Sequence, residues 1–169
     1  MNNTFITLGS NIEPRSQYLQ QALQKLVDYG VIKKIAPLYE SLPYGNTKQP
    51  AFLNSAVQFL TPLQPRKLLQ ALKKIEQEIG RQKSERWGPR EIDLDIIFYE
   101  QVRMETPELV IPHPDYQNRR FVLQPLCDID PEFHPPGSQL TISQLLIKCP
   151  DNNPLTLMEN EWYAHDITI

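Results

Sequence analysis

The strongest strand signal in the chain is the stretch Glu91-Ile92-Asp93-Leu94-Asp95-Ile96-Ile97-Phe98-Tyr99. In a strand, successive side chains point to opposite faces of the sheet. One face is then apolar and belongs to the core, and its members are Ile92, Leu94, Ile96 and Phe98. The other face carries Asp93 and Asp95, with their stems roughly 6 to 7 Å apart because they are two residues apart on one face. An acidic pair is therefore predicted on an otherwise apolar strand.

The elements before this strand alternate between strand and helix. The sequence predicts, in order, a strand at 5–8, a helix from Pro14 to Gly30, an extended stretch at 31–41, a strand at 52–60 and a helix from Pro65 to Gly80. Both helices begin at a proline, which suits the first turn, and end at a glycine, which suits the C-terminal cap. With the strand at 91–99, this order is the split βαβ arrangement of ferredoxin-like α+β domains, in which an antiparallel sheet carries both helices on one face.

The rest of the chain is expected to add shorter elements to this core. Short helices are predicted near 118–126 and 141–148 as C-terminal additions. The segment 42–50 is rich in turn residues and lacks a core pattern, so a mobile surface loop is expected there. The length of 169 residues predicts a single domain, 1–169. The last stretch, 151–169, shows no readable element, which leaves open a loosely ordered tail.

The composition argues against several function classes. A formal net charge of -3 and a pI of about 5.6 disfavour a surface built for nucleic acid or an anionic membrane. Cys127 and Cys149 show no metal-ligand spacing, so reduced thiols are expected. No run approaches the ~18 apolar residues of a membrane-spanning helix, and no basic leader is visible. We therefore expect a cytoplasmic protein with no nucleic-acid or membrane partner. We also expect a monomer, although composition does not bear on that expectation.

The acidic pair indicates a metal site. Two adjacent carboxylates on an apolar strand repel one another and resist removal from water. A divalent cation between Asp93 and Asp95 would relieve both effects, and oxygen ligands without nearby His or Cys favour magnesium over zinc. The alternative is that both acids are exposed on a solvent-facing side of the sheet, and the pair alone does not decide between these interpretations.

The loop before the strand is rich in cations, which are Arg81, Lys83, Arg86 and Arg90. Arginine forks clamp phosphate oxygens and magnesium bridges them, so cations beside metal-binding carboxylates indicate a polyphosphate site. The chain has no Gly-rich phosphate loop of the Walker or kinase type, so side chains and metal would hold the phosphates. The alternative is a solvated charged loop in which Trp87 packs on the body of the protein.

The basic loop and the strand join in the run Arg86-Trp87-Gly88-Pro89-Arg90-Glu91-Ile92-Asp93-Leu94-Asp95-Ile96-Ile97. This run closely resembles the signature of the 6-hydroxymethyl-7,8-dihydropterin pyrophosphokinases, folate-pathway enzymes that transfer a pyrophosphoryl group from ATP. Further family motifs match in order, namely Leu8-Gly9-Ser10-Asn11, Phe52-Leu53-Asn54-Ser55-Ala56-Val57, Glu76 with Gly80-Arg81, Ile111-Pro112-His113-Pro114 and Asn118-Arg119-Arg120-Phe121. The resemblance covers roughly residues 4 to 135.

The resemblance implies a two-magnesium, in-line mechanism. Asp93 and Asp95 would ligate two Mg²⁺ ions that bridge the phosphates of the co-substrate ATP, and one aspartate would accept the proton of the attacking hydroxyl. The pterin hydroxymethyl oxygen would attack the β-phosphorus and release AMP. Arg81 and Arg90 join the aspartates as implied catalytic residues on a flexible loop whose closure excludes water. The implied ATP contacts are Glu76, Lys83, Trp87, Arg90, Ile96, His113 and Arg119.

The resemblance also implies a pterin site. Phe52 and Phe121 occupy the family positions that sandwich the flat ring, and Asn54 supplies an amide for its hydrogen-bonding edge. The further implied pterin contacts are Ser41, Leu42, Tyr44, Gly45 and Asp93. Without the resemblance, an aromatic residue at either position is more often part of the core.

Some positions depart from the family or allow a simpler interpretation. The departures are Phe52 in place of a frequent Tyr, Pro114 in place of an aromatic residue, Arg120 in place of a small residue, and Ser41-Leu42 in place of Thr-Pro. None removes a metal ligand or a phosphate clamp, so they bear on affinity rather than reaction type. The segment Gly9-Ser10-Asn11 is explained equally well by a turn with a helix cap and by ligand contact.

Two other functions share parts of this pattern. A nucleic-acid-binding module on the same architecture would use the basic loop for phosphates and the aromatic residues for base stacking. It would leave Asp93 and Asp95 without a role, because acids beside a phosphate groove repel it. A two-metal phosphodiesterase or nucleotidyl transferase would share the acids, and its products would distinguish it.

Overall fold

The computed structural model describes residues 1–43, 48–83, 85–86 and 88–167. Within these residues, the strands are β1 (Asn2–Ser10), β2 (Val31–Ile35), β3 (Leu38–Ser41), β4 (Phe52–Thr61), β5 (Asp93–Tyr99), β6 (Met104–Glu105), β7 (Val110–Ile111) and β8 (Leu155–Glu159). The α-helices are α1 (Arg15–Leu26), α2 (Pro65–Ile79), α3 (Arg120–Ile129) and α4 (Ile142–Lys148). Short 3₁₀ turns follow α1, precede α3 and lie near the C-terminus.

The main sheet has the strand order β5-β1-β4-β3-β8, and β2 also pairs with β4. Every pairing in this sheet is antiparallel. The order of β5, β1 and β4, with β2 and β3 beyond them, is that of a split βαβ unit in which the first and last strands of the unit are neighbours. The predicted ferredoxin-like α+β fold with C-terminal additions is therefore confirmed.

Helices α1 and α2 cover one face of the sheet. Apolar side chains of both helices pack with Ile6, Leu8, Leu94 and Ile96 in one core cluster. The predicted end of α2 at Gly80 is confirmed, because Gly80 has a φ of 112° and its N–H donates to the carbonyls of Glu76 and Gln77. No helix of the described residues is long and apolar enough to span a lipid bilayer.

Gly30 follows the end of the helical segment, as predicted, but without the left-handed conformation of a glycine cap. Helix α1 ends at Leu26 and continues as a 3₁₀ turn over Val27–Tyr29, whose C-cap is Gly30 with an extended backbone and a φ of 164°. Glycine is required there for another reason. A Cβ at Gly30 would lie 2.2 Å from the carbonyl oxygen of Leu60 and 2.7 Å from the ring of Phe59, so the chain passes too close to β4 for a side chain.

Helices α3 and α4 cover the opposite face. Their apolar residues form a second core cluster with Phe5, Ala56 and Phe98. The two short helices predicted near 118–126 and 141–148 are present, the first as 120–129 and the second as 142–148. Thr141 caps α4 through a reciprocal pair of hydrogen bonds with Gln144, which explains why this helix begins where the sequence indicates.

A bulge in β5 changes which residues face the second cluster. Phe5 pairs with Phe98 and Ile6 pairs with Ile96, so Ile97 is the extra residue. The predicted placement of Phe98 on the same face as Ile96 is therefore wrong, because the bulge turns its ring towards Phe5, 5.9 Å away between ring centroids. The alternation holds for Asp93 and Asp95, which lie on the α3 side of the sheet.

Residues 151–167 contribute to the fold, in a stretch where the sequence showed no element. Strand β8 pairs with β3 at one end of the sheet. Trp162 is 3% exposed, belongs to the core cluster beneath α1 and α2, and donates its indole N–H to the carbonyl of Ala36 at 3.0 Å. The chain after α4 therefore packs against both the edge and the core of the sheet.

Candidate active site

A cavity of about 340 Å³ opens on the α3 side of the sheet, above neighbouring strands β4, β1 and β5. It collects most of the side chains that the sequence singled out. The predicted site residues that line it are Ser41, Leu42, Phe52, Asn54, Arg90, Asp93, Asp95, His113, Arg119 and Phe121. These residues come from strands, loops and a helix, which the fold brings to one place.

Asp93 is held by two arginines at one end of this cavity. Arg90 Nη1 lies 2.9 Å from Asp93 Oδ2, and Arg81 Nη1 lies 3.1 Å from Asp93 Oδ1. All three side chains are partly exposed. Two of the four predicted phosphate-binding cations therefore lie within direct contact distance of a predicted metal ligand.

Asp95 has a raised pKa. Burial first, and then the neighbouring charges of Asp93 and Glu76, bring the pKa of this carboxyl to about 7. Lys73 and Arg90 act in the opposite direction. The raised pKa follows from two carboxylates that share a recess, which is the environment that a divalent cation relieves.

The donor set fits magnesium that is held jointly by protein and phosphate. Among the described residues, no group of three or more His, Cys, Asp or Glu side chains is arranged to hold a metal ion. Asp93 and Asp95 would supply two carboxylates, and phosphate oxygens and water would complete the coordination. Magnesium is commonly bound in this way, with one or two carboxylates and substrate phosphates as ligands.

Glu76 lies beneath the cavity wall and does not line it. Its side chain is almost completely buried, at 2% exposure. Its carboxylate accepts the backbone N–H of Leu94 at 2.9 Å and lies 2.6 Å from Arg81 Nη1 and 3.2 Å from Lys73 Nζ. Leu94 is the residue between the two aspartates, so Glu76 ties helix α2 and Arg81 to the acidic stretch of β5.

Two further residues predicted to contact ATP, Ile96 and Lys83, do not line the cavity. Ile96 is 4% exposed and packs in the core beneath α1 and α2, so its side chain faces away from the cavity. Lys83 is exposed and does not line the cavity. Trp87, Tyr44 and Gly45, the first assigned to ATP and the others to the pterin, lie outside the described residues.

His113 lies in the cavity as a neutral hydrogen-bond donor. Burial and the nearby charge of Arg119 lower its pKa. Its Nδ1 accepts the backbone N–H of Asp115 at 3.3 Å, so the proton of the neutral ring resides on Nε2. The backbone N–H of His113 donates to the carbonyl of Ile97 at 3.0 Å, which attaches this turn to β5.

The other end of the cavity is aromatic. The rings of Phe52 and Phe121 are partly exposed, and both line the cavity. Asn54 is 6% exposed, and its Nδ2 donates to Ser41 Oγ at 2.7 Å, which fixes the orientation of the amide. The guanidinium carbon of Arg119 lies 6.0 Å from the centre of the Phe121 ring, where a cation–π contact is possible.

The sequence did not single out several residues of the cavity. Thr7 lines it because it pairs across the sheet with Asp95, and Gly9, for which the sequence left ligand contact open, lines it because it pairs with Asp93. Only the strand register reveals this neighbourhood. The lining residues that no motif interpretation assigned to a ligand are Thr7, Leu8, Ser55, Gly88, Ile97, Pro114, Asp115 and Val122.

Asn11 is not a helix cap. Helix α1 has Pro14 at its N-cap position and no side-chain cap. Asn11 is instead buried and hydrogen-bonded to Arg90, Gln49 and Pro50. The capping interpretation of this residue is therefore wrong, because its amide is used by segments distant in sequence.

Comparison with known sequences gives one consistent family. The family model described as 7,8-dihydro-6-hydroxymethylpterin-pyrophosphokinase (HPPK) matches residues 5–131. The 2-amino-4-hydroxy-6-hydroxymethyldihydropteridine pyrophosphokinase of Bacillus subtilis is 44% identical over 132 residues, which are 76% of this chain and 79% of the relative. The enzyme of the same name from Aquifex aeolicus is 40% identical over 136 residues, with coverage of 80% and 85%.

Solved structures agree with the fold. The crystal structure of wild-type Plasmodium falciparum HPPK-DHPS with SDX-DHP superposes with a TM-score of 0.72 at 18% sequence identity, covering 87% of this chain and 44% of that longer chain. At this identity the likeness bears on the fold alone. The family model spans well over half of the chain and the bacterial relatives are similar along most of their length, so the chain belongs to the 7,8-dihydro-6-hydroxymethylpterin-pyrophosphokinase family.

Proposed function

We propose that this chain transfers a pyrophosphoryl group from ATP to the hydroxymethyl group of 6-hydroxymethyl-7,8-dihydropterin, giving the pterin diphosphate and AMP in folate biosynthesis. One observation supports this most strongly. A single cavity has an acidic pair with arginines at one end and two aromatic rings with an oriented amide at the other. The first set suits a metal–polyphosphate group and the second suits a flat heteroaromatic ring.

The phosphate end would be organised by Asp93 and Asp95, which would hold two Mg²⁺ ions. Magnesium held by these two carboxylates would supply positive charge that offsets the negative charge of the phosphate oxygens. Arg90 lines the cavity, and Arg81 does not line it but contacts the same Asp93 carboxylate, so both guanidinium groups would pass from Asp93 to phosphate oxygens. Arginine forks that stabilise charge developing on phosphate oxygens are a main source of rate in phosphoryl transfer.

Two further side chains would contact the nucleotide. His113 presents an Nε2–H in its neutral form, so it would donate to a phosphate oxygen without adding charge. Arg119 lines the same cavity and is held by Asp115, with 3.2 Å between Arg119 Nη2 and Asp115 Oδ2. Both groups would orient the nucleotide, leaving the acid pair to position the reacting phosphates.

The pterin would lie between Phe52 and Phe121 with its polar edge towards Asn54. Asn54 Nδ2 donates to Ser41 Oγ at 2.7 Å and to the Phe52 carbonyl at 3.4 Å, so its Oδ1 is the group that would accept an N–H of the ring. The hydroxymethyl group would then point towards the acidic end. One of the two aspartates would accept the hydroxyl proton as the oxygen attacks the β-phosphorus.

Product analysis tests this proposal. The purified protein is mixed with ATP, Mg²⁺ and 6-hydroxymethyl-7,8-dihydropterin, and AMP and the pterin diphosphate should form in equal amounts and only when all three are present. Free pyrophosphate without a modified pterin would indicate a phosphodiesterase, and AMP attached to the pterin would indicate a nucleotidyl transferase. Either result would overturn the proposal. We further propose a cytoplasmic monomer, which sedimentation of the purified protein would test for its oligomeric state.

A further inference from the structure

Asn11, directly after β1, joins two segments that are far apart in sequence. It is 1% exposed. Its Oδ1 accepts the backbone N–H of Arg90 at 2.8 Å, and its Nδ2 donates to Gln49 Oε1 at 2.9 Å and to the Pro50 carbonyl at 3.2 Å. The side chain therefore uses both its acceptor and its donor group in contacts that a shorter or apolar residue could not make.

One of these segments carries the predicted phosphate clamp. The backbone of Arg90 is held at both of its polar groups, because its N–H donates to the Asn11 side chain and its carbonyl accepts the Asn11 N–H at 3.1 Å. The Arg90 guanidinium then reaches Asp93 at 2.9 Å. Asn11 consequently sets the point from which Arg90 extends into the cavity.

The other segment leads into the predicted pterin end. Gln49 and Pro50 come shortly before Phe52, the first residue of β4, whose ring lines the cavity. Hydrogen bonds from Asn11 to Gln49 and Pro50 therefore fix the approach of the chain to this ring. Asn11 itself does not line the cavity.

We infer that Asn11 is a positioning residue that fixes the ATP end and the pterin end of the cavity relative to one another. This inference rests on the proposed function, because it assigns a role towards its two substrates. Asn11 acts through Arg90 on the phosphate side and through Gln49 and Pro50 on the ring side. Its amide suits this position, because an aspartate would lack the N–H donors that serve Gln49 and Pro50.

The test separates the contact of Asn11 with Arg90 from its contacts with Gln49 and Pro50. Binding of a non-hydrolysable ATP analogue with Mg²⁺, and of 6-hydroxymethyl-7,8-dihydropterin with the analogue saturating, is measured by calorimetry. The variants are Asn11→Ala, Gln49→Ala and Gln49→Glu. The matched control is Asn2→Ala, which removes the same residue type from the other end of β1, where Nδ2 donates to the Thr61 carbonyl at 3.1 Å.

Asn11→Ala should lower the affinity for the ATP analogue and the affinity for the pterin by about tenfold each, because both segments lose a buried hydrogen bond. Gln49→Ala should lower the affinity for the pterin by about fivefold and leave the affinity for the ATP analogue unchanged. Gln49→Glu should restore pterin affinity, because its carboxylate still accepts the Asn11 N–H. Asn2→Ala should bind both ligands like the wild type.

Two results would overturn the inference. One is wild-type affinity of Asn11→Ala for both ligands. The other is an equal loss of affinity for both ligands in Gln49→Ala that Gln49→Glu does not restore. That result would indicate general loosening of the fold. A wild-type protein that binds neither ligand would instead overturn the proposed function, and the inference with it. Thermal unfolding of each variant shows whether it is folded, and the Gln49 pair keeps the test decisive if Asn11→Ala does not fold.

Discussion

Arg90 and Asp93 form an ion pair, with 2.9 Å between Nη1 and Oδ2, and Arg81 approaches the other oxygen of the same carboxylate at 3.1 Å. A residue proposed to bind phosphate is thus paired with one proposed to bind metal. The pairing balances charge within the acidic end of the cavity. It also places both guanidinium groups where a polyphosphate, if it binds there, would meet them.

Replacement of Arg90 by alanine should lower kcat by about 100-fold or more, because a charge-stabilising contact to the reacting phosphates is lost. The change in unfolding free energy should stay below about 1 kcal/mol, since partly exposed ion pairs contribute little. Steady-state kinetics and urea unfolding measure the two effects. Arg66→Ala, an exposed arginine in the first turn of α2, is the control and should retain full activity. Near-normal turnover of Arg90→Ala would contradict its catalytic assignment.

The raised pKa of Asp95 predicts a pH-dependent stability. A carboxyl whose pKa rises from 3.8 unfolded to about 7 folded destabilises the folded protein as pH increases between these values, because the charged form is disfavoured there. Asp95→Asn removes this penalty. The variant should therefore be more stable than the wild type by about 1–3 kcal/mol at pH 8 and by little at pH 4, in urea unfolding with EDTA present. Its turnover should be abolished.

Magnesium gives the matching experiment on the unaltered protein. Since metal binding requires deprotonated carboxylates, added Mg²⁺ with an ATP analogue should raise the melting temperature at pH 8 and do so less at pH 5.5. The same stabilisation at both pH values, or in Asp95→Asn, would show that Asp95 is not a ligand. Calcium-free buffers and an analogue-only control separate the metal contribution from that of the nucleotide.

The features predictable from sequence are those that depend on near neighbours. The alternation in β5 predicted the acidic pair, and the positive φ required after α2 explains why Gly80 marks its end. The bulge at Ile97 was not predictable, because it exists only in the pairing of β5 with β1. The burial of Glu76 likewise depends on how α2 packs on the sheet, and the role of Asn11 depends on three separate segments meeting.

Variants of Glu76 distinguish a structural role, in which its carboxylate holds Leu94 and Arg81, from direct contact with ATP. Glu76→Ala should destabilise the protein by about 2 kcal/mol, because the Leu94 N–H loses its buried acceptor and Arg81 loses one of its two carboxylate partners. Glu76→Gln keeps an acceptor for Leu94 and should recover most of this loss. Calorimetry of ATP-analogue binding completes the comparison. Weakened analogue binding in Glu76→Gln with an unchanged unfolding free energy would instead favour direct contact with the nucleotide.

Gly9 gives a prediction about the floor of the cavity. It pairs with Asn54 on one side and Asp93 on the other, so it lies between the proposed pterin and metal groups. A Cβ at this position would lie 3.7 Å from Asn54 Oδ1 and 3.8 Å from Phe52 Cδ1, which are ordinary contact distances. Gly9→Ala should therefore fold normally, but its methyl group should occupy space that a ring between these residues needs.

Pterin affinity of Gly9→Ala should fall by about tenfold or more while its melting temperature stays within about 2 °C of the wild type. Gly30→Ala should instead lower the stability of the fold. Its Cβ would lie 2.2 Å from a backbone oxygen of β4, so the strand must shift, and a loss of about 1–3 kcal/mol in unfolding free energy is expected. Calorimetry and thermal unfolding of both variants measure these effects. Unchanged pterin binding by Gly9→Ala would show that the ring does not lie over this part of β1. A ring at that place would contact the added methyl group.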